Sequence, residues 1–196
     1  MFKRVEFLKS VYNLEDLPLP EYPEIAILGR SNAGKSSFIN AFLNQKKLAK
    51  VSSTPGFTQS LNFFLVDRKF YLVDLPGYGF AKVPKEVYKN WQILIEGYLK
   101  SPRDFRLLFL IFDIRREPDD LDQTLLKFIS YLNMPYALLL NKIDMLSKRE
   151  VEIHKEKFIK SLKIPKNREI FLISCKEKIG FEPIRAFLKK VLKLSI

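Results

Sequence analysis

The chain has 196 residues, 47% hydrophobic and 29% charged, enough for one domain with a substantial core; that balance excludes an intrinsically disordered chain. A single cysteine excludes a disulfide framework and a multi-cysteine zinc site, and a single histidine argues against histidine metal centres and Ser/His/Asp triads. The formal charge of +12, with an isoelectric point near 9.7, favours RNA, DNA or an acidic membrane surface as partner, unless it only mirrors a lysine-rich composition.

In chain order, Met1-Phe2-Lys3-Arg4-Val5-Glu6 has no apolar stretch behind its charges, so no signal peptide is expected. The longest apolar runs, such as 107–112, are too short to span a bilayer, and the expected compartment is the cytoplasm. Residues 1–23 read as an N-terminal extension packing on the core, broken by Pro18, Pro20 and Pro23, and 24–196 as a single domain. Apolar runs at 24–29, 61–66, 70–74, 107–113, 136–140 and 169–173 suit buried strands. Between them lie helical periodicities: one at 36–43, and others through Val87, Trp91, Leu94, Ile95 and Tyr98, through Leu121, Leu125, Phe128, Ile129 and Leu132, and through Ile184, Phe187, Leu188, Val191 and Leu192. The pattern predicts an α/β fold with a mainly parallel six-stranded sheet, one antiparallel strand where Asp67-Arg68-Lys69 turns a hairpin, and helices on both faces. In such sheets ligands bind beyond the strand C-termini, here just after residues 29, 74, 113, 140 and 173.

The motifs fall at those places. Gly29, Arg30, Ser31, Asn32, Ala33, Gly34, Lys35 and Ser36, followed by Ser37, spell a P-loop between a strand and a helix. Its amides and the helix N-terminus would cradle phosphates, Lys35 would charge-pair with the β- and γ-phosphates, and Ser36 would ligate Mg²⁺. Asn141, Lys142, Ile143 and Asp144 follow the fifth run. The Asp144 carboxylate can accept two hydrogens from guanine, a pair that adenine does not offer, and Asn141 and the Lys142 stem can tie this loop to the P-loop. Asp74, Leu75, Pro76 and Gly77 end the third run. Asp74 would reach Mg²⁺ through water, and the Gly77 N–H would sense the γ-phosphate. In the stretch before the second run, Gly56, Phe57, Thr58, Gln59 and Ser60 would approach the nucleotide, with Thr58 completing Mg²⁺ coordination only when a γ-phosphate is present. Ile173, Ser174 and Cys175 would close over the base, Cys175 as a small packed residue rather than a nucleophile. His154, on a highly charged helix, reads as a surface residue.

Together with Thr54-Pro55-Gly56-Phe57-Thr58-Gln59, Asp74-Leu75-Pro76-Gly77-Tyr78-Gly79, Val83-Pro84-Lys85-Glu86 and Asp119-Asp120-Leu121-Asp122-Gln123, the P-loop resembles the EngB (YsxC/YihA) family of Ras-like P-loop GTPases, within the TrmE–Era group, over about residues 5–193. The departures are small. That family often has threonine at Asn141 and serine at Cys175. The resemblance implies GTP or GDP as ligand, Mg²⁺, hydrolysis of GTP, and a role in large-ribosomal-subunit assembly needed for septation and growth. Its partner would be that subunit's rRNA and proteins, with neither DNA nor membrane, and the chain is expected to be monomeric. Tyr78 stands where many GTPases have a water-orienting glutamine, so the intrinsic rate is expected to be low and stimulated by a partner. In related GTPases the residue at Asn32 helps to hold K⁺ beside the phosphates; here it either does so or only braces the loop. The catalytic set expected on this basis is Asn32, Lys35, Thr58 and Gly77. Two other classes compete: a metabolic P-loop kinase, which would lack the motif ending at Asp144, and a GTP-dependent division scaffold, which would want an amphipathic or lipidated segment.

Overall fold

The computed structural model of the chain describes residues 2–45, 48, 60–79 and 85–193, with backbone alone for 85–88. The strands are β1 (Val5–Val11), β2 (Glu24–Gly29), β3 (Leu61–Val66), β4 (Phe70–Asp74), β5 (Phe105–Asp113), β6 (Tyr136–Asn141) and β7 (Ile170–Ile173). The helices are α1 (Lys35–Phe42), α2 (Lys85–Lys100), α3 (Asp120–Tyr131), α4 (Lys148–Ser161) and α5 (Phe181–Val191). The sheet order is β1-β3-β4-β2-β5-β6-β7. Only β3 runs against the rest, pairing antiparallel with both neighbours.

The sheet has seven strands rather than six, and the extra one corrects the reading of the N-terminal extension. Residues 5–11 pair with β3 from Val5 opposite Val66 to Val11 opposite Leu61, with an irregularity between Phe7 and Lys9. The bulge and the charged Glu6 and Lys9 suit an edge strand, which must discourage pairing with other chains. The three prolines lie in the connection from β1 to β2, as their missing donors require. In the β3–β4 hairpin, Asp67 and Arg68 both take positive φ (51° and 54°), the twist that tight hairpins need. The Asp67 side chain also accepts from the Lys3 and Arg4 amides at 2.8 and 2.7 Å, tying the new edge strand to the turn.

Parallel strands buried on both faces sort their residues alternately. Ala26 and Leu28 of β2 face a core closed by α2, α3 and α4; Ile25 and Ile27 face one closed by α1 and α5. Phe38 stacks between Phe42 and Phe181 on the second face, with centroids 5.2 and 5.7 Å away. At the opposite end of β2 from the P-loop, the fully buried Glu24 accepts from the Tyr98 hydroxyl (2.6 Å) and Arg103 Nε (2.7 Å), which bind α2 and the start of β5 to the sheet. No helix among the described residues is long and apolar enough to cross a membrane. The architecture delivers Gly29, Asp74, Asp113, Asn141 and Ile173 to the C-terminal ends of their strands.

Candidate nucleotide site

β2 ends at Gly29 and the chain turns over Arg30–Gly34 into α1. Asn32 takes a left-handed conformation (φ 65°), which asparagine tolerates better than most residues. Gly34 stands at φ 98°, and a Cβ there would lie 2.2 Å from Asn141 Nδ2, so a side chain would split the P-loop from β6. Gly34 caps α1 without any side-chain bond, and the first turn holds no acidic residue. By contrast α3 and α4 begin with complete capping boxes, Asp119/Asp122 and Ser147/Glu150. The α1 N-terminus thus keeps its donors and positive dipole for an anion. Ser36 and Ser37 lie half-buried in that first turn.

Lys35 Nζ is ion-paired with Asp74 at the end of β4, both nearly buried. The donor set there, the Ser36 hydroxyl and the Asp74 carboxylate, is all oxygen and suits Mg²⁺, which takes few protein ligands and keeps its waters. Leu75, Pro76 and Gly77 are buried; Leu75 belongs to the core, and the Pro76 carbonyl accepts from Trp91 Nε1 at 3.2 Å. Two P-loop amides are used internally, Ser31 to the Tyr78 carbonyl (3.0 Å) and Ala33 to the Arg30 carbonyl (3.1 Å). Arg30 turns its guanidinium away from the loop onto Asp119 and Asp122. The buried Ser60 donates to Asn62 Oδ1 at 3.3 Å. Gly56, Phe57, Thr58 and Gln59 lie outside the described residues.

β6 runs one residue longer than the apolar pattern, so Asn141 is its last residue. Asn141 Nδ2 donates to the Ala33 carbonyl (2.9 Å), and its Oδ1 accepts from the Cys175 amide (3.2 Å). One buried amide therefore joins the P-loop, the β6 loop and the β7 loop. Lys142, at φ 71°, donates to the Asn32 carbonyl (2.9 Å) and pairs with Asp113 Oδ2 (2.8 Å). Ile143 packs against the core, while Asp144 is exposed in a single helical turn, with Oδ1 accepting from the buried Ser174 hydroxyl (2.6 Å). An oriented, exposed carboxylate can accept two hydrogen bonds from a donor pair on a ligand's edge. Ile173 is fully buried. Burial first, and then the charge of Asp144, push the Cys175 thiol up to about 12, so it is no nucleophile at neutral pH.

Asp113 escaped the motif reading, although its place at the end of β5 is where chemistry was expected. Burial alone would raise its carboxyl, but hydrogen bonds from Arg115 and Lys142 outweigh that and hold it at about 2. A depressed folded value stabilises the fold above the ordinary carboxylate range and is lost as pH falls through the folded value. Asp113→Asn is expected to cost about 2 kcal/mol at pH 7. In urea unfolding the gap to wild type should narrow as pH drops from about 4 to about 2. A gap that stays constant over that window would show that charge on Asp113 is not the cause.

A family model described as "50S ribosome-binding GTPase" matches residues 24–142. The "Probable GTP-binding protein EngB" of Caldanaerobacter subterraneus subsp. tengcongensis is 42% identical over 97% of this chain and 98% of its own length. The protein of the same name from Fusobacterium nucleatum subsp. nucleatum is 42% identical over 97% of each chain. Among solved structures, the crystal structure of a probable GTP-binding protein engB has a TM-score of 0.72 at 22% identity, covering 87% of this chain and 98% of that one, a likeness of fold. With a P-loop turn and the loop after β6 joined through Asn141, and relatives matched almost end to end, the chain belongs to the EngB family of GTP-binding P-loop GTPases.

Proposed function

We propose that this protein is a slow GTP-hydrolysing switch that acts in the cytoplasm, as a monomer, in assembly of the large ribosomal subunit, and so supports septation and growth. The observation that carries the slow rate, and hence the need for a partner, is the place of Tyr78. It follows Gly77, where many GTPases orient the attacking water, yet it is 5% exposed and its hydroxyl is committed to Asp122 at 2.8 Å. Burial, and then the Asp122 carboxylate, push that phenol well above its ordinary value, so it stays a donor to Asp122 and no base. Loop 74–79 therefore brings no side chain to the water. A stimulus from outside is typically worth about 10³–10⁵ in rate.

Support for a ribosomal partner is the description of the matched family and the charge of +12. Residues 148–168 hold eight basic residues against Glu150, Glu152 and Glu156, and residues 176–193 six against Glu177 and Glu182. These segments include α4 and α5, which close opposite faces of the sheet. Lys46, Lys47, Lys50 and Lys82 lie outside the described residues; Lys89, on α2, is exposed. In the site, Lys35 and the first turn of α1 hold the phosphates, Asp144 the guanine, and Ser36 and Asp74 the Mg²⁺. Bound Mg²⁺ would neutralise phosphate charge. Thr58 is proposed to join it when GTP is present, and Gly77 to meet the γ-phosphate.

Sedimentation with purified large subunits tests this. Binding is expected to be stronger with a non-hydrolysable GTP analogue than with GDP, and to fall steeply as salt rises, because phosphate contacts release counterions. Binding indifferent to nucleotide and to salt would overturn it. The reading also gives Asn32 a K⁺ to hold beside the phosphates. Equal hydrolysis rates in K⁺ and Na⁺ buffers, with subunits present, would remove that part and leave Asn32 with the left-handed turn it already makes.

A further inference from the structure

Tyr78 is the point where the loop after β4 returns to the P-loop. Its amide donates to the Gly29 carbonyl (3.3 Å) and its carbonyl accepts from the Ser31 amide (3.0 Å), so that Arg30 and Tyr78 form a one-residue parallel bridge. At the near end of the same loop, Lys35 holds Asp74. Gly77 thus lies on a short segment fastened to the P-loop on both sides.

The far fastening is backed by a network of side chains. The Tyr78 hydroxyl donates to Asp122 Oδ1 at 2.8 Å. Asp122, 3% exposed, lies 3.4 Å from Arg30 Nη1, and the same nitrogen bonds Asp119. The second Asp122 oxygen accepts from the Asp119 amide at 2.9 Å, which closes the cap of α3. Gly79, at φ 75°, lets the guanidinium lie against the backbone; a Cβ there would be 2.7 Å from Arg30 Nε. A phenol, a carboxylate and a guanidinium therefore lock the first turn of α3, the P-loop and loop 74–79 into one body. The capping oxygens of α3 are already satisfied without Tyr78. The Tyr78 bond is thus spent on the loop that carries Gly77.

We propose that Tyr78, Asp122 and Arg30 are positioning residues that set the preference for a nucleoside triphosphate over a diphosphate, by holding the Gly77 amide where a γ-phosphate meets it. The proposal rests on the reading of Gly77 as the γ-phosphate contact. It goes further in naming the side chains that fix that contact from behind. A diphosphate puts no atom at that place, so the network is silent in GDP binding. Loosening it lets the Gly77 segment drift from the P-loop, and the triphosphate alone loses by it.

Calorimetric titration of nucleotide-stripped protein with GDP and with GTPγS, both with Mg²⁺, tests this. In Tyr78→Phe, GDP affinity is expected to stay within about twofold of wild type while GTPγS affinity falls about fivefold, the order of one buried hydrogen bond. Asp122→Asn is expected to shift the ratio the same way. The double variant should be no worse in ratio than the larger single one, since both cut one network. A general loss of stability cancels in this ratio, because both nucleotides are measured on the same protein. Equal losses for the two nucleotides, or a GTPγS affinity unchanged or raised in Tyr78→Phe, would overturn the proposal while leaving the site reading intact. A wild-type protein that binds neither nucleotide would overturn both.

Discussion

Asp144→Asn is expected to lower GDP affinity by about 10² or more while leaving the fold unchanged. The carboxylate is exposed, and one of its oxygens is oriented by the Ser174 hydroxyl at 2.6 Å. It offers guanine an acceptor for both the N1–H and the 2-amino hydrogens. Each such charge-assisted bond is worth about 1.5–3 kcal/mol, so losing the pair costs upward of 3 kcal/mol. Asparagine keeps one acceptor but turns an amide donor toward a guanine donor, and the two repel. Xanthine carries a carbonyl where guanine carries its amine, so xanthosine diphosphate should bind the variant better than GDP does. Stability should hardly move, because Asp144 is solvent-facing and an asparagine oxygen can still accept from Ser174. Calorimetry with GDP, xanthosine diphosphate and ADP decides: a GDP affinity within fivefold of wild type would show that the base is read elsewhere.

The parts of this site legible in the sequence are those carried by contiguous residues. The P-loop, the turn from Asp74 to Gly77 and the segment from Asn141 to Asp144 each needs its spacing intact, because backbone amides or adjacent side chains act together on one ligand. Six strands were legible for a related reason: a strand buried on both faces shows as an unbroken apolar run, and five of these six touch the site. β1 has no such run. It lies at the sheet edge, most of its side chains are partly or fully exposed, and Glu6 and Lys9 break its pattern. Phe7 gains only a one-sided contact, with Phe64 at 5.6 Å.

Asp113 and Asp122 were illegible as site residues for a different reason. Asp113 lies in no contiguous signature, and the stretch 119–123 that contains Asp122 showed a resemblance but no role for that side chain; each acquires a role only when folding brings a distant cation to it: Lys142 to Asp113, and Arg30 to Asp122. The sequence distance is large in the second case, and only the pairing of β2 with β5 brings the P-loop beside the first turn of α3. Tyr78 is intermediate. Its identity was enough to deny it the part of a water-orienting glutamine, but not to say where its hydroxyl goes. The side chain that could not serve the water serves the loop instead, and that use depends on a carboxylate forty-four positions along.

Lys35→Met should produce two losses that a second substitution can separate. In this structure the Lys35 ammonium and the Asp74 carboxylate neutralise each other, with side chains 10% and 5% exposed. On the proposed reading, nucleotide binding would change partners, Lys35 meeting phosphate and Asp74 hydrated Mg²⁺. Methionine keeps the length and the apolar stem of lysine and removes only the charge. Nucleotide-free Lys35→Met is therefore left with an uncompensated buried carboxylate, which costs about 3–5 kcal/mol. Adding Asp74→Asn removes that charge as well and should restore most of the stability, since a neutral amide needs no counter-ion. It should not restore binding: both variants lack the cation that meets the phosphates, and GDP affinity is expected to fall about 10²-fold or more in each. Urea unfolding of stripped protein measures the first part and calorimetry with Mg²⁺-GDP the second. If Lys35→Met is as stable as wild type, the ion pair contributes nothing to the empty fold. If the double variant is less stable than the single one, Asp74 is held by something other than Lys35. A double variant that regains nucleotide would mean that the lysine acts through Asp74 alone and never touches phosphate.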